Sequence, residues 1–420
     1  MASPNSPSRY AWFVVLLLWP VAALNYLDRQ MLSTIRESIR MDIPGIASDQ
    51  QFGTLMAVFM WVYALLSPLG GFVADKFNRR WMVIGSLFVW SAVTYLTGHM
   101  HTYNGMLICR ALMGISEACY LPAALALITD FHPGGTQARA IGIHQTGIYA
   151  GLALGGVGGY IAQSSSWRNC FTWFGAAGVA YAVVLFLTLK DGGAHSKDTP
   201  KSHPGSITET LRALLKQPAF WLLVVYFTLP AIAGWMTKNW LPTFLADKFH
   251  LDQGPAGLSA TGYIQIASFA GVLLAGFVAD KWMGKTPKGR IFSSALGTLL
   301  LVPALLGLGF APTLGAAIAF MIVFGIGWGF FDCNNMPILC QVVRPEHRAT
   351  GYGFMNMVSI SVGAVATVVL GWMRDHGIQL SAAFVFAAFL SLLAAAIVVR
   401  IKPQNQPSNL GLKPTATSPK

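Results

Sequence analysis

The sequence predicts an all-α integral membrane protein. Of its 420 residues, 54% are hydrophobic and only 10% are charged, whereas a soluble domain carries about 25% charged residues. Polar residues are too few to cover a globular surface, so part of that surface must face lipid. Apolar runs of about 20 residues, which is the length that crosses a bilayer as a helix, recur along the whole chain. We therefore expect transmembrane helices in contact with a lipid bilayer.

Twelve segments are long and apolar enough to be spans, and we number them span 1 to span 12: 11–38, 51–74, 81–100, 103–130, 138–163, 168–190, 218–247, 256–280, 291–310, 313–341, 348–373 and 380–401. The longest polar connection, 191–217, separates six spans from six. We expect an N-terminal six-helix bundle (1–190), a cytoplasmic linker (191–217), a C-terminal six-helix bundle (218–401) and a disordered, polar cytoplasmic tail (402–420).

Most of the 28 lysines and arginines fall on the side of the membrane that holds both termini. Because cytoplasmic loops carry the excess of basic residues, both termini and the linker are predicted to be cytoplasmic. Despite the net charge of +12, the basic residues form no continuous face, so we expect no nucleic-acid partner. The first apolar run lacks a signal-peptide cleavage site. We expect a multi-pass protein of a bacterial inner membrane.

The letters GFVADK occur twice, at 71–76 and 276–281, each time at the cytoplasmic end of the second span of a half. This repeat indicates duplication of a six-span unit. Glycine there lets helices approach closely, and the acid and the basic residues that follow could latch a neighbouring helix end in one conformation. We therefore expect gating roles for Asp75, Arg79, Arg80 and Asp280. The alternative is a simple basic flank with a helix-ending acid.

The frame Gly71-x-x-x-Asp75-x-x-Asn78-Arg79-Arg80 resembles the signature loop of the major facilitator superfamily. The resemblance implies two pseudo-symmetric six-helix bundles that expose a central site to each side in turn. The family usually has glycine where this chain has Asn78. Asparagine tolerates a left-handed turn better than most residues, so we expect the loop to keep its shape.

Four charged residues lie at membrane depth: Asp28 and Arg29 in span 1, and Arg110 and Glu117 in span 4. Charges in a membrane are costly and indicate function. Both arginines should face a cavity or pair with the two acids. Burial favours the neutral form of a carboxyl group and a nearby guanidinium favours the charged form, so these acids suit proton exchange. The alternative is a static ion-pair network that orders the helices.

The stretch NYLDR in span 1, with Arg110 and Glu117 seven residues apart in span 4, resembles the anion:cation symporter branch of the superfamily. That branch carries sugar acids and other organic anions with protons. Spinster-type lipid transporters share the pattern, whereas NWLPTFL (239–245) is more similar to the anion symporters. The resemblance implies that Asp28 and Glu117 carry protons and that Tyr26, Arg29 and Arg110 lie near the substrate carboxylate.

Other polar residues are candidates for the cavity lining, with helix packing as the alternative for each: Asn25, Tyr63, His144, Gln145, Lys238, Asn239, Trp240, Asp332, Asn334, Asn335 and Asn356. Lys238 could instead extend to the membrane surface. Glycines at four-residue spacing in span 5 predict a close helix-packing face. The glycine motif of many antiporters of the family carries a proline that is absent here, which favours symport.

We therefore expect proton-coupled uptake of a small organic anion, such as a sugar acid, by a monomer. The alternative is a spinster-like, proton-coupled exporter of lipid or lysolipid. The sequence contains no nucleophile–base set, no phosphate-binding loop and no metal-ligand spacing, so we expect neither an enzyme nor a bound cofactor or metal.

Overall fold

The computed structural model describes residues 9–132, 136–191 and 207–403, without the side chains of 70–76, 207–208 and 346. Within these ranges the chain is helical and contains no strand, which confirms the all-α prediction. Ten helical stretches in the described ranges are long and apolar enough to cross a membrane. The predicted linker and tail lie partly outside the described residues, at 192–206 and from 404 onward.

The described residues of the first half form nine helices: α1 (Arg9–Thr34), α2 (Arg36–Asp42), α3 (Asp49–Lys76), α4 (Arg79–Thr97), α5 (Tyr103–Glu117), α6 (Tyr120–Phe131), α7 (Gln137–Leu154), α8 (Val157–Ser164) and α9 (Trp167–Thr188). Predicted span 4 corresponds to α5 with α6, and span 5 to α7 with α8. Span 3 (α4) and span 5 are not among the ten apolar stretches. The count of twelve spans therefore stays a prediction.

The second half begins with the short helix α10 (Ile207–Leu215), which follows the polar part of the predicted linker. Six long helices come next: α11 (Pro218–Phe249), α12 (Gln253–Met283), α13 (Gly289–Phe310), α14 (Leu314–Val342), α15 (Arg348–Asp375) and α16 (Leu380–Val398). A single 3₁₀ turn, Pro345–His347, precedes α15.

The helices of the two halves pack in the same pairs. In the first half, α1 packs on α7, α3 on α5 and α4 on α9; in the second, α11 packs on α15, α12 on α14 and α13 on α16. Contacts between the halves also repeat, since α3 packs on α15 while α7 and α8 pack on α12. In span numbers, 2 meets 11 and 5 meets 8. This arrangement agrees with a duplicated six-span unit, while the domain boundaries stay predictions.

The halves are joined at one end of the molecule, which we call the sealed end and define by residues 35–50, 155–165, 247–257 and 371–379. The largest apolar cluster takes buried side chains from both halves, including Phe52 and Trp240. Towards the opposite end, which holds the first and last described helix ends, two further clusters, around Leu127 and around Ile338, each belong to one half. The halves therefore separate towards this termini end.

Helix α7 packs against α1 along the glycine face that the sequence predicted. At Gly147 and Gly151 an added Cβ would collide with α1, at Gly151 with the backbone of Ala23. Gly156 and Gly159 face α12 of the other half equally closely. The prediction of a close packing face is thus confirmed, and the same glycine run also forms part of the sealed end.

We expect Gly151→Ala to lower the thermal stability of the detergent-solubilised protein, because overpacking a tight contact costs about 1–3 kcal/mol. Gly142→Ala is the matched control: it lies in the same helix and has no atom within 4 Å of an added Cβ. Alanine is the better helix former by about 1 kcal/mol, so the control should keep or raise the melting temperature. Equal shifts for both variants would contradict the packing argument.

At the termini end, the residues predicted to latch a gate pair within their own half. Arg79 forms an ion pair with Asp130 of α6, and Arg80 donates a hydrogen bond of 2.7 Å to a carbonyl oxygen of α9. Asp280 accepts a hydrogen bond of 3.3 Å from Arg290. No described contact of these three residues joins the two halves. Their gating role stays a prediction, and the side chain of Asp75 lies outside the described residues.

Two details of the repeated loop differ from expectation. Asn78 is not in a left-handed turn: its φ is −63° and its side-chain oxygen caps α4 by accepting the Trp81 N–H at 3.2 Å. Asparagine therefore serves there as a helix N-cap. Gly276, in the second copy, has no atom within 4 Å of an added Cβ, so it makes no close helix contact in this conformation.

Candidate functional site

The four charged residues at membrane depth come together between α1, α4 and α5. Asp28 and Arg29 lie near the C-terminal end of α1, while Arg110 and Glu117 lie two turns apart on α5. Asp28 and Arg110 are each 2% exposed and Glu117 is fully buried. The sequence therefore identified a set of residues that the structure brings together.

Arg29 and Glu117 form a buried ion pair. The Arg29 Nε donates to Glu117 Oε2 at 2.6 Å. The rings of Tyr26, Phe59 and Tyr63 surround the guanidinium, with centroids 4.6, 5.0 and 4.3 Å from its central carbon. The two terminal nitrogens of Arg29 make no hydrogen bond to a described residue, and the side chain is 12% exposed. They form the edge of the guanidinium that binds carboxylates in bidentate fashion.

Arg110, which was expected to face a cavity or to pair with an acid, has no carboxylate oxygen of the described residues within 4 Å. Its guanidinium packs 4.7 Å from the Phe59 centroid, and its Nη1 approaches the Met113 sulfur at 3.6 Å. The Phe59 ring thus contacts both buried guanidinium groups. Sequence reasoning missed Phe59 because a phenylalanine within an apolar span gives no signal. A buried arginine without a counter-ion is costly, which points to a site that handles charge.

The acids also have unused hydrogen-bonding capacity. Thr94 donates to one oxygen of Asp28 at 3.2 Å, while the other Asp28 oxygen and Glu117 Oε1 are buried and have no partner among the described residues. The amide of the buried Asn25 lies close enough to Glu117 to interact with it, but neither amide atom makes a hydrogen bond of normal geometry to a described residue. Such groups are rare in folded proteins. Their concentration at one place indicates a position where protons or a ligand bind.

The break between α5 and α6 fixes the position of Glu117, the last residue of α5. Pro122 lies in the first turn of α6, where it donates no N–H and its ring conflicts with the carbonyl group four residues earlier. That carbonyl belongs to Ala118, and the helix is interrupted at Ala118–Cys119. Pro122 thus accounts for the interruption, which sets Glu117 at the junction of the two helices of span 4.

The second half contributes Lys238 of α11 and Asp332 of α14 to the same region. Lys238 Nζ lies 5.0 Å from the Trp235 centroid and 5.4 Å from the Trp328 centroid. Asp332 is exposed within the space between the halves and accepts a long hydrogen bond of 3.4 Å from Tyr149 of α7. This space is the central cavity. Lys238 interacts electrostatically with both Asp332 and Arg29.

Two further candidates, Gln145 and Asn356, are placed where they can line the cavity. Gln145 is exposed one turn before Tyr149 on α7, and Asn356 is partly exposed and lies beside Tyr352 on α15. Tyr63 is 8% exposed and packs against Arg29. These positions agree with the expected lining.

His144 does not face the cavity. It is fully buried, and its Nε2 lies 3.0 Å from the Tyr120 hydroxyl oxygen in the packing between α6 and α7. This placement does not support the predicted role of His144 in substrate binding. The alternative, a satisfied packing group, describes it better.

Four other candidates make helix-packing hydrogen bonds. Trp240, Asn334 and Asn335 are buried, whereas Asn239 is partly exposed and also contacts the Met60 sulfur of the first half at 3.6 Å. Asn239 donates to the Thr367 hydroxyl at 2.9 Å, and the Trp240 indole N–H donates to the Thr367 carbonyl at 3.0 Å. Asn334 donates to a serine hydroxyl of α13 at 3.2 Å, and Asn335 accepts from a tyrosine hydroxyl of α11 at 3.4 Å. All four join neighbouring helices of the second half.

Comparison with known proteins agrees with this arrangement. The family model described as Major Facilitator Superfamily matches residues 18–367. The hexuronate transporter of Bacillus subtilis is 26% identical over 401 residues, covering 92% of this chain and 93% of that protein. Protein spinster of Drosophila melanogaster is 26% identical over 378 residues, covering 86% of this chain. The chain spans 61% of the length of that relative.

Solved structures show the same fold. A bacterial homologue of the human lysosomal transporter Spinster, crystallised in an inward-facing conformation, superposes with a TM-score of 0.74 at 21% identity, covering 94% of this chain and 95% of that one. The nucleoside transporter NupG superposes with a TM-score of 0.75 at 16% identity, covering 92% and 99%. With its repeated helix pairs and a family match that covers most of its length, this chain belongs to the major facilitator superfamily.

Proposed function

We propose that the chain is a secondary active transporter that couples proton movement to the uptake of a small organic anion, such as a sugar acid, by alternating access. The observation that carries this proposal is the Arg29–Glu117 pair. One edge of the guanidinium is held by the acid, while the other is available to a ligand carboxylate. Asp28 and Glu117 carry protons, and Arg29 with Arg110 attracts the anion.

Coupling follows from competition for one cation. When Glu117 is protonated, Arg29 loses its counter-ion and binds an anion more strongly. When an anion occupies Arg29, the charged form of Glu117 is less stabilised, so the proton binds more strongly. The two effects are reciprocal by thermodynamic linkage. Proton and anion therefore load together and leave together, as symport requires.

The orientation and the membrane are part of the same proposal. With the termini end in the cytoplasm of a bacterial inner membrane, the sealed end faces outward and the central cavity opens inward. The twelve spans form two bundles, residues 1–190 and 218–401, joined by the linker 191–217. The two bundles rotate relative to each other about this cavity. The transporter acts as a monomer, since a single chain holds all the charged groups of the site.

A spinster-like lipid or lysolipid exporter is the second candidate. It is favoured by spinster homolog 1 of Homo sapiens, which is 28% identical over 398 residues and covers 88% of this chain and 74% of that protein. The identity to the hexuronate transporter is similar, so the choice rests on the cavity. Charged groups from both halves suit a compact polar anion better than a lipid chain.

The test is transport by the purified protein in liposomes, with an imposed gradient of one pH unit. Each proton then supplies about 1.4 kcal/mol, so one proton per anion accumulates labelled D-glucuronate about tenfold. A proton ionophore should remove the accumulation. If the rate and extent of D-glucuronate uptake do not depend on the pH gradient, the proposed coupling is contradicted. If the gradient drives the movement of lysophosphatidylcholine and not of D-glucuronate, the second candidate is favoured.

A further inference from the structure

A second polar site faces the central cavity, with its two charged groups on the C-terminal half, and the coupling mechanism makes no use of it. It consists of the Lys238 ammonium group, the Asp332 carboxylate and the Tyr149 hydroxyl. Trp235 and Trp328 flank the ammonium group. Trp328 and Asp332 are four residues apart on α14, so they share one helix face.

The hydrogen bonding of this site is incomplete. Lys238 Nζ makes no hydrogen bond to a described residue, and its separation from the Asp332 oxygens exceeds the 4.0 Å of an ion pair. Asp332 receives from Tyr149 only the long hydrogen bond of 3.4 Å. An ammonium group and a carboxylate so far inside a membrane protein are costly when they are not directly paired. The gap between them therefore suits a ligand group that bonds to both.

We propose that Lys238 and Asp332 form a hydroxyl-binding subsite that determines substrate specificity. A hydroxyl group has both functions that the gap requires, because its oxygen accepts from the ammonium group and its hydrogen is donated to the carboxylate. A second carboxylate on the ligand would be repelled by Asp332. An alkyl chain would leave both charged groups without partners.

The position of the subsite defines the class of ligand. Arg29 lies on the N-terminal half and Lys238 with Asp332 on the C-terminal half, and the charges of Arg29 and Lys238 interact across the cavity. A ligand with a carboxylate at Arg29 and hydroxyl groups at Asp332 would bridge the halves. The tryptophan rings beside Lys238 offer flat apolar surfaces to the C–H groups of such a ligand. This inference rests on the proposed function, which supplies the carboxylate site.

The experiment compares two carboxylates of similar size by calorimetric titration of the purified protein: D-glucuronate, which carries hydroxyl groups, and cyclohexanecarboxylate, which has none. The wild type should bind D-glucuronate more tightly. Since hydrogen bonds to charged groups contribute about 1.5–3 kcal/mol, Asp332→Ala should weaken D-glucuronate binding at least about tenfold. It should not weaken the binding of cyclohexanecarboxylate, because that ligand has no hydroxyl group for Asp332 to bind. Glu209→Ala, which changes an exposed acid of the short helix α10, should change neither affinity.

Each contrary outcome identifies what has failed. Equal binding of both ligands by the wild type, or an equal loss for both in Asp332→Ala, would overturn the subsite and leave the proposed function standing. No binding of either ligand to the wild type would overturn the proposed function and the subsite together. If Asp332→Ala does not fold, Asp332→Asn replaces it: the amide keeps an acceptor but loses the charge. A preference for D-glucuronate that is undiminished in that variant would overturn the subsite.

Discussion

Replacing Glu117 with Gln is expected to abolish gradient-driven accumulation of the anion while exchange across the membrane continues. Glutamine has nearly the shape of the protonated acid and cannot release a proton. Arg29 then remains without its counter-ion, so anion binding and the conformational change proceed. An imposed gradient of one pH unit should give about tenfold accumulation in the wild type and none in the variant. Counterflow of labelled D-glucuronate should persist in both.

Glu37→Gln is the matched control for this change. Glu37 is 52% exposed at the sealed end and contacts only the neighbouring Arg36, at 3.3 Å. Accumulation should be the same as in the wild type. If Glu117→Gln still accumulates anion with the gradient, Glu117 does not carry the proton. If it loses exchange as well, the ion pair supports the structure of the site and the coupling argument fails.

The residues that sequence reasoning placed correctly are those whose presence in a span has no other explanation. A guanidinium or carboxylate in an apolar helix needs a partner or a cavity, which is why the two arginines and the two acids could be grouped in advance. The sequence did not show which arginine pairs with which acid. The glycine run of span 5 was equally clear, because regular spacing puts small residues on one helix face. Phe59, which contacts both arginines, could not be recognised among apolar neighbours.

Neutral polar residues were harder to place. An asparagine or histidine in a span can satisfy its hydrogen bonds with the adjacent helix, and the sequence does not say which neighbour each face meets. His144 and Asn334 hydrogen-bond to a neighbouring helix in this way, whereas Gln145, the residue next to His144, is exposed. The difference of one residue turns a side chain by about 100° around the helix. Whether a given polar residue lines the cavity therefore depends on how its helix is rotated about its own axis, and tertiary packing determines that rotation.

The charge cluster at the sealed end was also beyond sequence reasoning, because its members come from distant segments. Asp49, at the start of α3, accepts hydrogen bonds from Arg36 and Arg40 of α2 and from Arg374 of α15, 325 residues away in the chain. Asp375 accepts the backbone N–H of Asp49 at 2.8 Å. Counting lysines and arginines on alternate sides of the membrane predicts only the side on which these arginines lie. It does not identify the acids with which they pair.

Within this cluster, Arg374 makes a charged contact that joins the halves: its Nε donates to Asp49 at 2.8 Å, and its Nη1 donates to Asp247 of its own half at 2.7 Å. Asp49 keeps Arg36 and Arg40, which belong to its own half. Removing Arg374 therefore destabilises the sealed conformation specifically. A hydrogen bond to a charged group contributes about 1.5–3 kcal/mol, so Arg374→Gln should shift the equilibrium towards a conformation with the sealed end open, roughly tenfold or more.

Spin labels report this shift directly. Met41 and Asp252 belong to different halves and line the same cleft at the sealed end, and both side chains are exposed. Labelled cysteines at these positions, in a chain whose partly exposed native cysteines are replaced by serine, should show a longer distance population in Arg374→Gln. Arg168→Gln is the control, since Arg168 pairs with Asp42 of its own half at 2.8 Å. An unchanged distance distribution in Arg374→Gln, or the same change in the control, would show that this contact does not keep the sealed end closed.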